Sequence, residues 1–212
     1  MLKRGKIKSL SVMLCAALLV LGMVSSASAI PYYFYKITNN GNPDVASQLY
    51  VDVLEAAGGQ VEFKFYNQGP TASSITDIYF DDGTLLALST IVNGPTGVSF
   101  VTPATPPDLP GGETVGFETT KGFSANSSTP ITANGVNPGE YVTIYFTLQD
   151  TKTYANTLAA LADGSLRMGL HVQAIQPQGG SDSYVNLVPE PYTLLLLGLG
   201  LVGVAGVRRF RK

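Results

Sequence analysis

The chain has 212 residues, of which 45% are hydrophobic and 13% charged, with a net charge of -2 and one cysteine. This composition excludes a disordered charged tail, a strongly cationic nucleic-acid binder and a small disulfide-stapled protein. Eight of the thirteen Lys and Arg lie in the first eight or the last five residues. The segment 30–187 has five basic and fourteen acidic residues, so its net charge is -9 and it repels nucleic-acid phosphates.

The first 29 residues have the pattern of a secretory signal peptide. Basic residues precede an apolar run over 10–24, and small residues ending in Ala27-Ser28-Ala29 follow it. We therefore expect signal peptidase to cut after Ala29. An uncleaved anchor is the alternative, but the run is shorter than the ~20 residues of a spanning helix. Cys15 lies inside the run, so the exported chain has no cysteine for catalysis, disulfides or metal binding.

The segment 30–187 is predicted to be a single antiparallel β-sandwich of immunoglobulin-like or jelly-roll type. It contains seventeen Gly and eleven Pro, which favours many short strands joined by turns. Apolar alternation on both sides of the turn 57–60 predicts a hairpin. One short late helix is predicted over Tyr154–Asp163, with Thr153 as its cap and Gly164 ending it. Other predicted strands are 32–38, 74–80, 84–92, 97–101, 114–119, 141–148, 166–175 and 183–187.

The stretch 102–110 has four prolines in nine residues. Such a density of proline favours an extended backbone without regular secondary structure. We therefore expect an exposed loop here.

His171 is the single histidine of the chain. On a strand it shares one face with Arg167 and Gln173, which indicates a polar surface. One histidine cannot build a multi-histidine zinc site, and no G-x-S-x-G motif supplies a serine nucleophile. We expect no catalytic residue, no cofactor and no enzymatic activity.

Asp77, Asp81 and Asp82 are weak candidates for calcium ligands, because hard cations favour clustered carboxylates. Their spacing does not match an EF-hand loop. The sequence Asp81-Asp82-Gly83 between two apolar runs is also typical of a hairpin turn, and we favour the turn.

Carbohydrate binding is the main functional alternative for this segment. Tyrosines on strands offer ring faces to sugars, although they are equally common as ordinary strand residues. A secreted hydrolase has weaker support, since Glu113 and Glu118 would point to opposite faces of one strand. The tyrosines concerned are Tyr32, Tyr33, Tyr35, Tyr50, Tyr66 and Tyr79.

The C-terminal residues form a second membrane-targeting signal. Pro189-Glu190-Pro191 precedes an apolar stretch over 192–207, which as a helix is about 24 Å long at ~1.5 Å per residue. Basic residues resist translocation, so they should keep the end of the chain in the cytoplasm. This predicts a transmembrane helix over 192–207, and a permanent anchor is one alternative fate for it. The basic tail comprises Arg208, Arg209, Arg211 and Lys212.

The tripeptide, the apolar helix and the basic tail together resemble the PEP-CTERM sorting signal, whose processing enzyme is an exosortase. The resemblance implies an exported protein of a Gram-negative bacterium, held briefly in the inner membrane and cut near Pro189-Glu190-Pro191. It also implies delivery to the cell surface or extracellular matrix, with exopolysaccharide or biofilm as a partner. The predicted organisation is a signal peptide (1–29), a β-sandwich domain (30–187) and a sorting signal (188–212).

Overall fold

A computed structural model describes residues 29–82 and 86–188. The predicted signal peptide up to residue 28 lies outside the described residues. So do the Pro-Glu-Pro tripeptide, the predicted transmembrane helix 192–207 and the basic tail.

The described chain is mainly β, as predicted, with ten antiparallel strands and few helices. The helices are Ile131–Asn134 and Tyr154–Asp163, and two short 3-10 turns span Ala46–Gln48 and Gly112–Val115. The strands are β1 (Ile30–Lys36), β2 (Leu49–Ala56), β3 (Gln60–Asn67), β4 (Ser74–Asp82), β5 (Leu86–Asn93), β6 (Phe100–Val101), β7 (Ser124–Ser127), β8 (Glu140–Leu148), β9 (Leu166–Ile175) and β10 (Gly180–Asn186).

The strands form one nearly closed sheet in the order β5-β8-β3-β2-β1-β10-β9-β4-β7-β6. Strand β1 connects two halves, because residues 30–33 pair with β2 and residues 34–36 pair with β10. We call β5, β8, β3, β2 and the start of β1 the first half. The end of β1 with β10, β9, β4, β7 and β6 is the second half. The backbone N–H of Phe100 donates to the side-chain oxygen of Asn93 at 2.7 Å, which brings the two ends of the sheet together.

The hydrophobic core lies between the two halves. Phe80 of the second half contacts Phe63 and Phe146 of the first half edge-to-face, with ring centroids 5.2 and 4.7 Å apart. All three rings are buried. Burial of large aromatic side chains is a principal source of folding free energy, so these contacts stabilise the face-to-face packing of the halves.

Two local predictions are confirmed. The hairpin of β2 and β3 pairs Ala56 with Gln60 across the predicted turn. The helix Tyr154–Asp163 has the predicted bounds, and the side-chain oxygen of Asn156 accepts the backbone N–H of Thr153 at 2.9 Å. Gly164 ends the helix at a φ of 79°, a left-handed conformation that glycine adopts without strain.

One strand prediction and one turn prediction are wrong, and one strand was not predicted. The segment 114–119 is not a strand, because Gly112–Val115 is a 3-10 turn outside the sheet. Strand β7 is formed by polar residues and was not predicted. Asp81 and Asp82 belong to β4 rather than to a hairpin turn, because β4 and β5 lie in different halves and do not pair.

The outer face of the second half is covered by the segment 102–120, which we call the covering segment. The predicted exposed loop 102–110 is therefore only partly exposed, since Ala104 and Leu109 are buried. Gly169 of β9 makes room for the cover: a Cβ atom there would lie 2.7 Å from Leu109 Cδ2. The cover and the sheet form a second apolar cluster of Tyr79, Ala104, Leu109, Phe117 and Val185.

Candidate functional site

A row of four tyrosines crosses the outer face of the first half. Strand register places Tyr33 opposite Tyr50, Tyr50 opposite Tyr66, and Tyr66 opposite Tyr141. Directly opposite residues of antiparallel strands point to the same face. The row therefore crosses four strands and is about 14 Å long at ~4.8 Å per strand spacing.

The rings of this row mostly cover one another. Tyr50 and Tyr66 stack with centroids 4.6 Å apart and planes at 15°. The Lys64 Nζ atom lies 3.9 Å from the centroid of the Tyr141 ring, a cation-π contact. Tyr33 is tilted by 44° against Tyr50 and is 53% exposed. The row therefore offers solvent mainly edges and hydroxyls, and Tyr33 has the most accessible ring.

The charged groups around the row are the Lys64 ammonium and the carboxylates of Asp52 and Glu62. Burial lowers the pKa of the Lys64 ammonium. Its hydrogen bond to Tyr66, the nearby tyrosines and Glu62 together raise this pKa by more than burial lowers it, so the net shift is upward. Burial raises the pKa of the Asp52 carboxyl, and Lys64 only partly opposes this. Lys64 therefore stays a cation at neutral pH and holds the rings in place.

The sequence prediction found part of this row. Tyr33, Tyr50 and Tyr66 were among the candidate tyrosines, whereas Tyr141 was missed. Tyr32 and Tyr79 were candidates too, but both are buried and cannot contact a sugar. Tyr35 is exposed on β1 outside the row. The register of the strands places the four tyrosines side by side. Composition alone does not predict strand register.

His171 lies on a polar face of β9, as predicted, with Met168, Leu170 and Val172 buried on the other face. The structure adds a partner that the sequence did not indicate. His171 Nδ1 lies 3.1 Å from Asp77 Oδ2 on β4, and the two side chains are only 13% and 5% exposed. Thr76 donates its hydroxyl to the same carboxylate oxygen at 2.8 Å.

Ser183 of β10 lies opposite His171 in the register, so a serine, a histidine and an aspartate occupy three adjacent strands. The serine hydroxyl is buried and has no hydrogen-bond partner among the described residues. A nucleophilic serine needs a hydrogen bond to its base and access to substrate. Ser183 has neither feature in this structure.

The three aspartates proposed as calcium candidates have separate surroundings. Asp77 pairs with His171, and Asp81 pairs with Arg167, whose guanidinium also donates to the backbone carbonyls of Val115 and Gly116. Asp82 is buried, and its backbone bonds the hydroxyl of Thr120. Within the part of the chain that the structure describes, no three carboxylate or imidazole side chains group into a metal site.

Asp182 is a buried carboxylate with four hydrogen-bond donors around it. Its oxygens accept from Lys36 Nζ at 2.9 Å, Thr38 Oγ1 at 2.8 Å, the Asn40 backbone N–H at 3.0 Å and Asn42 Nδ2 at 2.9 Å. Burial raises the pKa of this carboxyl, but these hydrogen bonds outweigh the burial and hold the pKa below its ordinary value. The cluster ties the loop after β1 to β10.

A shallow cavity of about 470 Å³ lies beside the covering segment. Its walls include Pro103, Pro107, Asp108 and Lys121. Ser124 is a buried polar residue of its lining, and its hydroxyl oxygen already accepts the backbone N–H of Ala104 at 3.1 Å.

We call the segment 30–187 the body. Both predicted processing points adjoin the described part of the body at one place. Ala29 precedes β1 directly, and Ala27 lies outside the described residues. At the other end, β10 finishes at Asn186 and the backbone N–H of Leu187 donates to the carbonyl of Tyr33 at 2.8 Å. A family model described as the PEP-CTERM protein-sorting motif matches residues 187–212.

The chain carries a PEP-CTERM sorting motif. This motif is the recognition signal of exosortase, and it implies an exosortase-targeted extracellular protein. The PEP-CTERM match begins one residue after the last strand of the sheet. The motif residues Pro189, Glu190 and Pro191 lie outside the described residues, as does the basic tail.

Searches of curated proteins and of solved structures gave no match for this chain. Over residues 29–82 and 86–188, the structure contains no helix with the length and apolar character needed to cross a membrane.

Proposed function

We propose that this PEP-CTERM protein is a non-enzymatic component of the cell surface or extracellular matrix of a Gram-negative bacterium, associated with exopolysaccharide or biofilm. Signal peptidase removes 1–29, the helix 192–207 holds the chain in the inner membrane, and exosortase then releases the body. The observation that carries this proposal is the PEP-CTERM match at 187–212, directly after β10. We class the body as a β-sandwich of immunoglobulin-like or jelly-roll type, since two halves of its sheet pack face to face.

The surroundings of the histidine favour a non-enzymatic body. The His171 ring is almost covered and its Nδ1 faces Asp77. The hydroxyl of Ser183 is buried without a bond to the ring. General-base catalysis requires the base to reach a substrate proton, and the covered ring has little room for a substrate.

Fractionation of cells with and without their exosortase tests the sorting proposal. With the enzyme, we expect the protein in the surface or medium fraction. Without it, we expect the protein in the inner-membrane fraction with residues 208–212 retained. The same distribution in both strains would contradict the proposal. A catalytically inactive exosortase is the matched control, because it preserves any binding of the substrate.

The tyrosine row supports a second candidate function, that of a carbohydrate-binding module. A ring face without a neighbour can pack against the apolar face of a sugar, and Tyr33 has the most exposed ring of the row. The hydroxyl edges of Tyr50, Tyr66 and Tyr141 continue this surface with hydrogen-bonding groups.

A glycan array with the exported protein tests this second function. We expect selective binding of an extended polysaccharide that is lost in Tyr33→Ala. Tyr35→Ala is the matched control, because it removes an exposed tyrosine of the same strand outside the row. Absence of any selective binding, or equal losses in both variants, would refute the module and leave the sorting proposal untouched.

A further inference from the structure

The place where both ends of the described chain meet carries exposed apolar side chains. Tyr33 is 53%, Leu187 49%, Ile30 38% and Val188 38% exposed. The hydrogen bond from Leu187 N–H to the Tyr33 carbonyl continues the β1–β10 pairing, so the two side chains are neighbours on one face. Ile30 is three positions before Tyr33 on β1, so it points to the opposite face, and Val188 lies against Gly164 at the end of the helix. We call Tyr33 and Leu187 the junction patch.

The tether between this patch and the apolar stretch is very short. Four peptide steps separate Val188 from Tyr192, and a chain spans at most ~3.6 Å per residue, so the two Cα atoms lie within about 14 Å. A headgroup layer is roughly 5 to 8 Å thick on each side of the hydrocarbon. A body anchored by 192–207 therefore has Val188 at the membrane surface.

The N-terminal side of the body leads to the same place. Ile30 begins β1 directly after the expected signal-peptide cut, three residues before Tyr33. Signal peptides and C-terminal anchors both span the same membrane during export. The start of β1 is therefore beside the bilayer when signal peptidase cuts, and the junction patch is beside it in the anchored protein.

We infer that the junction patch is a lipid-contacting surface, which rests on the headgroup and upper acyl region of the bilayer while the protein is anchored. This inference rests on the proposed membrane-anchored stage. Aromatic rings such as Tyr33 favour the membrane interface, and aliphatic side chains such as Leu187 gain by leaving water.

The attraction of this patch for lipid is weak without the tether. The net charge of -9 on 30–187 opposes binding to an anionic membrane. A tether of a few residues supplies an effective concentration of the order of mM or more, which makes a weak contact persist. Cleavage near the tripeptide removes this advantage, so the patch detaches and the Tyr33 ring becomes free for other ligands.

Single tryptophans test this inference, because the chain contains none. Leu187→Trp places the probe in the junction patch, and Val101→Trp is a matched control, since Val101 is also 49% exposed but lies on β6 at the far edge of the sheet. The anchored protein is made in a host without exosortase and reconstituted in zwitterionic bilayers that contain lipids brominated near the headgroup.

We expect the brominated lipids to quench the Leu187→Trp fluorescence at least about twofold more than the Val101→Trp fluorescence, because only the patch reaches the interface. Equal quenching in a protein that resists carbonate extraction overturns the lipid contact and leaves the anchored stage intact. Release of the protein by carbonate overturns both. The circular dichroism of each variant shows whether it has folded.

Discussion

The outer face of the first half of the sheet is open to solvent, whereas the outer face of the second half is covered by the segment 102–120. The covered face is apolar where the cover lies, with Tyr79 and Val185 on either side of Gly169. The open face carries tyrosines and Lys64 instead, whose hydroxyl and ammonium groups remain compatible with water. The contrast indicates that the covering segment serves stability, and that the open face is available for contacts outside the molecule.

The largest expected effect separates the two faces directly. Phe117→Ala should lower the free energy of unfolding by about 3 kcal/mol or more, because it empties a buried site under the cover. Tyr66→Ala removes an aromatic ring of the open face and should cost about 1 kcal/mol, mainly through lost stacking on Tyr50. Urea denaturation measures both values. Similar costs for the two variants would remove the distinction between the faces.

Carboxylates in the two halves should respond to acid in opposite directions. The lowered pKa of Asp182 gives stability that is present above the unfolded-state pKa of ~3.9 and is lost as pH falls through the lower folded-state pKa. The raised pKa of Asp52 in the first half means that protonation of this group favours the folded state. The native protein should therefore lose the Asp182 contribution below about pH 4.

Substitution of each carboxylate separates the two contributions. Asp182→Asn should cost about 3 kcal/mol at neutral pH, since Lys36 loses its buried partner, and should flatten the loss of stability in acid. Asp52→Asn is the matched variant and should leave the acid loss in place. Thermal unfolding between pH 3 and 7 measures both profiles. An Asp182→Asn profile parallel to that of the native protein would contradict the assignment.

A smaller effect tests how closely the cover fits. Gly169→Ala should destabilise by about 1 to 2 kcal/mol, because the added Cβ would lie 2.7 Å from Leu109 Cδ2. The double variant with Leu109→Ala removes the contact with Leu109 and leaves the one with Phe117 Cζ at 3.0 Å, so the double variant should cost less than the sum of the two single variants. Strict additivity in urea denaturation would show that the cover does not press on Gly169.

Local sequence patterns predicted the elements that depend on neighbours along the chain. The hairpin of β2 and β3 has a turn and an alternation within twenty residues, and the helix Tyr154–Asp163 has its cap and its terminal glycine beside it. The segment 114–119 shows the limit of such patterns. Alternating apolar residues fit a strand and a covering segment equally well, and only the tertiary structure shows that Phe117 packs on the sheet from outside.

The candidate sites depended on pairings between distant residues. Asp77 and His171 are 94 positions apart. The sequence suggested Asp77 as a calcium ligand and placed His171 on a polar surface, and it did not pair them. Asp81 suggested a turn, yet it remains in β4 because Arg167 on the neighbouring strand binds it. Tyr141 joins the tyrosine row through β8, which pairs with β3 across a long connection. These partners follow from strand order, which single-sequence patterns do not contain.

The most direct test of the account is the intact mass of the exported protein from cells that have their exosortase. The account predicts a chain that begins at Ile30 and ends near Pro189-Glu190-Pro191, without the apolar stretch and the basic tail. A mature protein that still carries Arg208 to Lys212 would contradict exosortase processing and favour a permanent anchor.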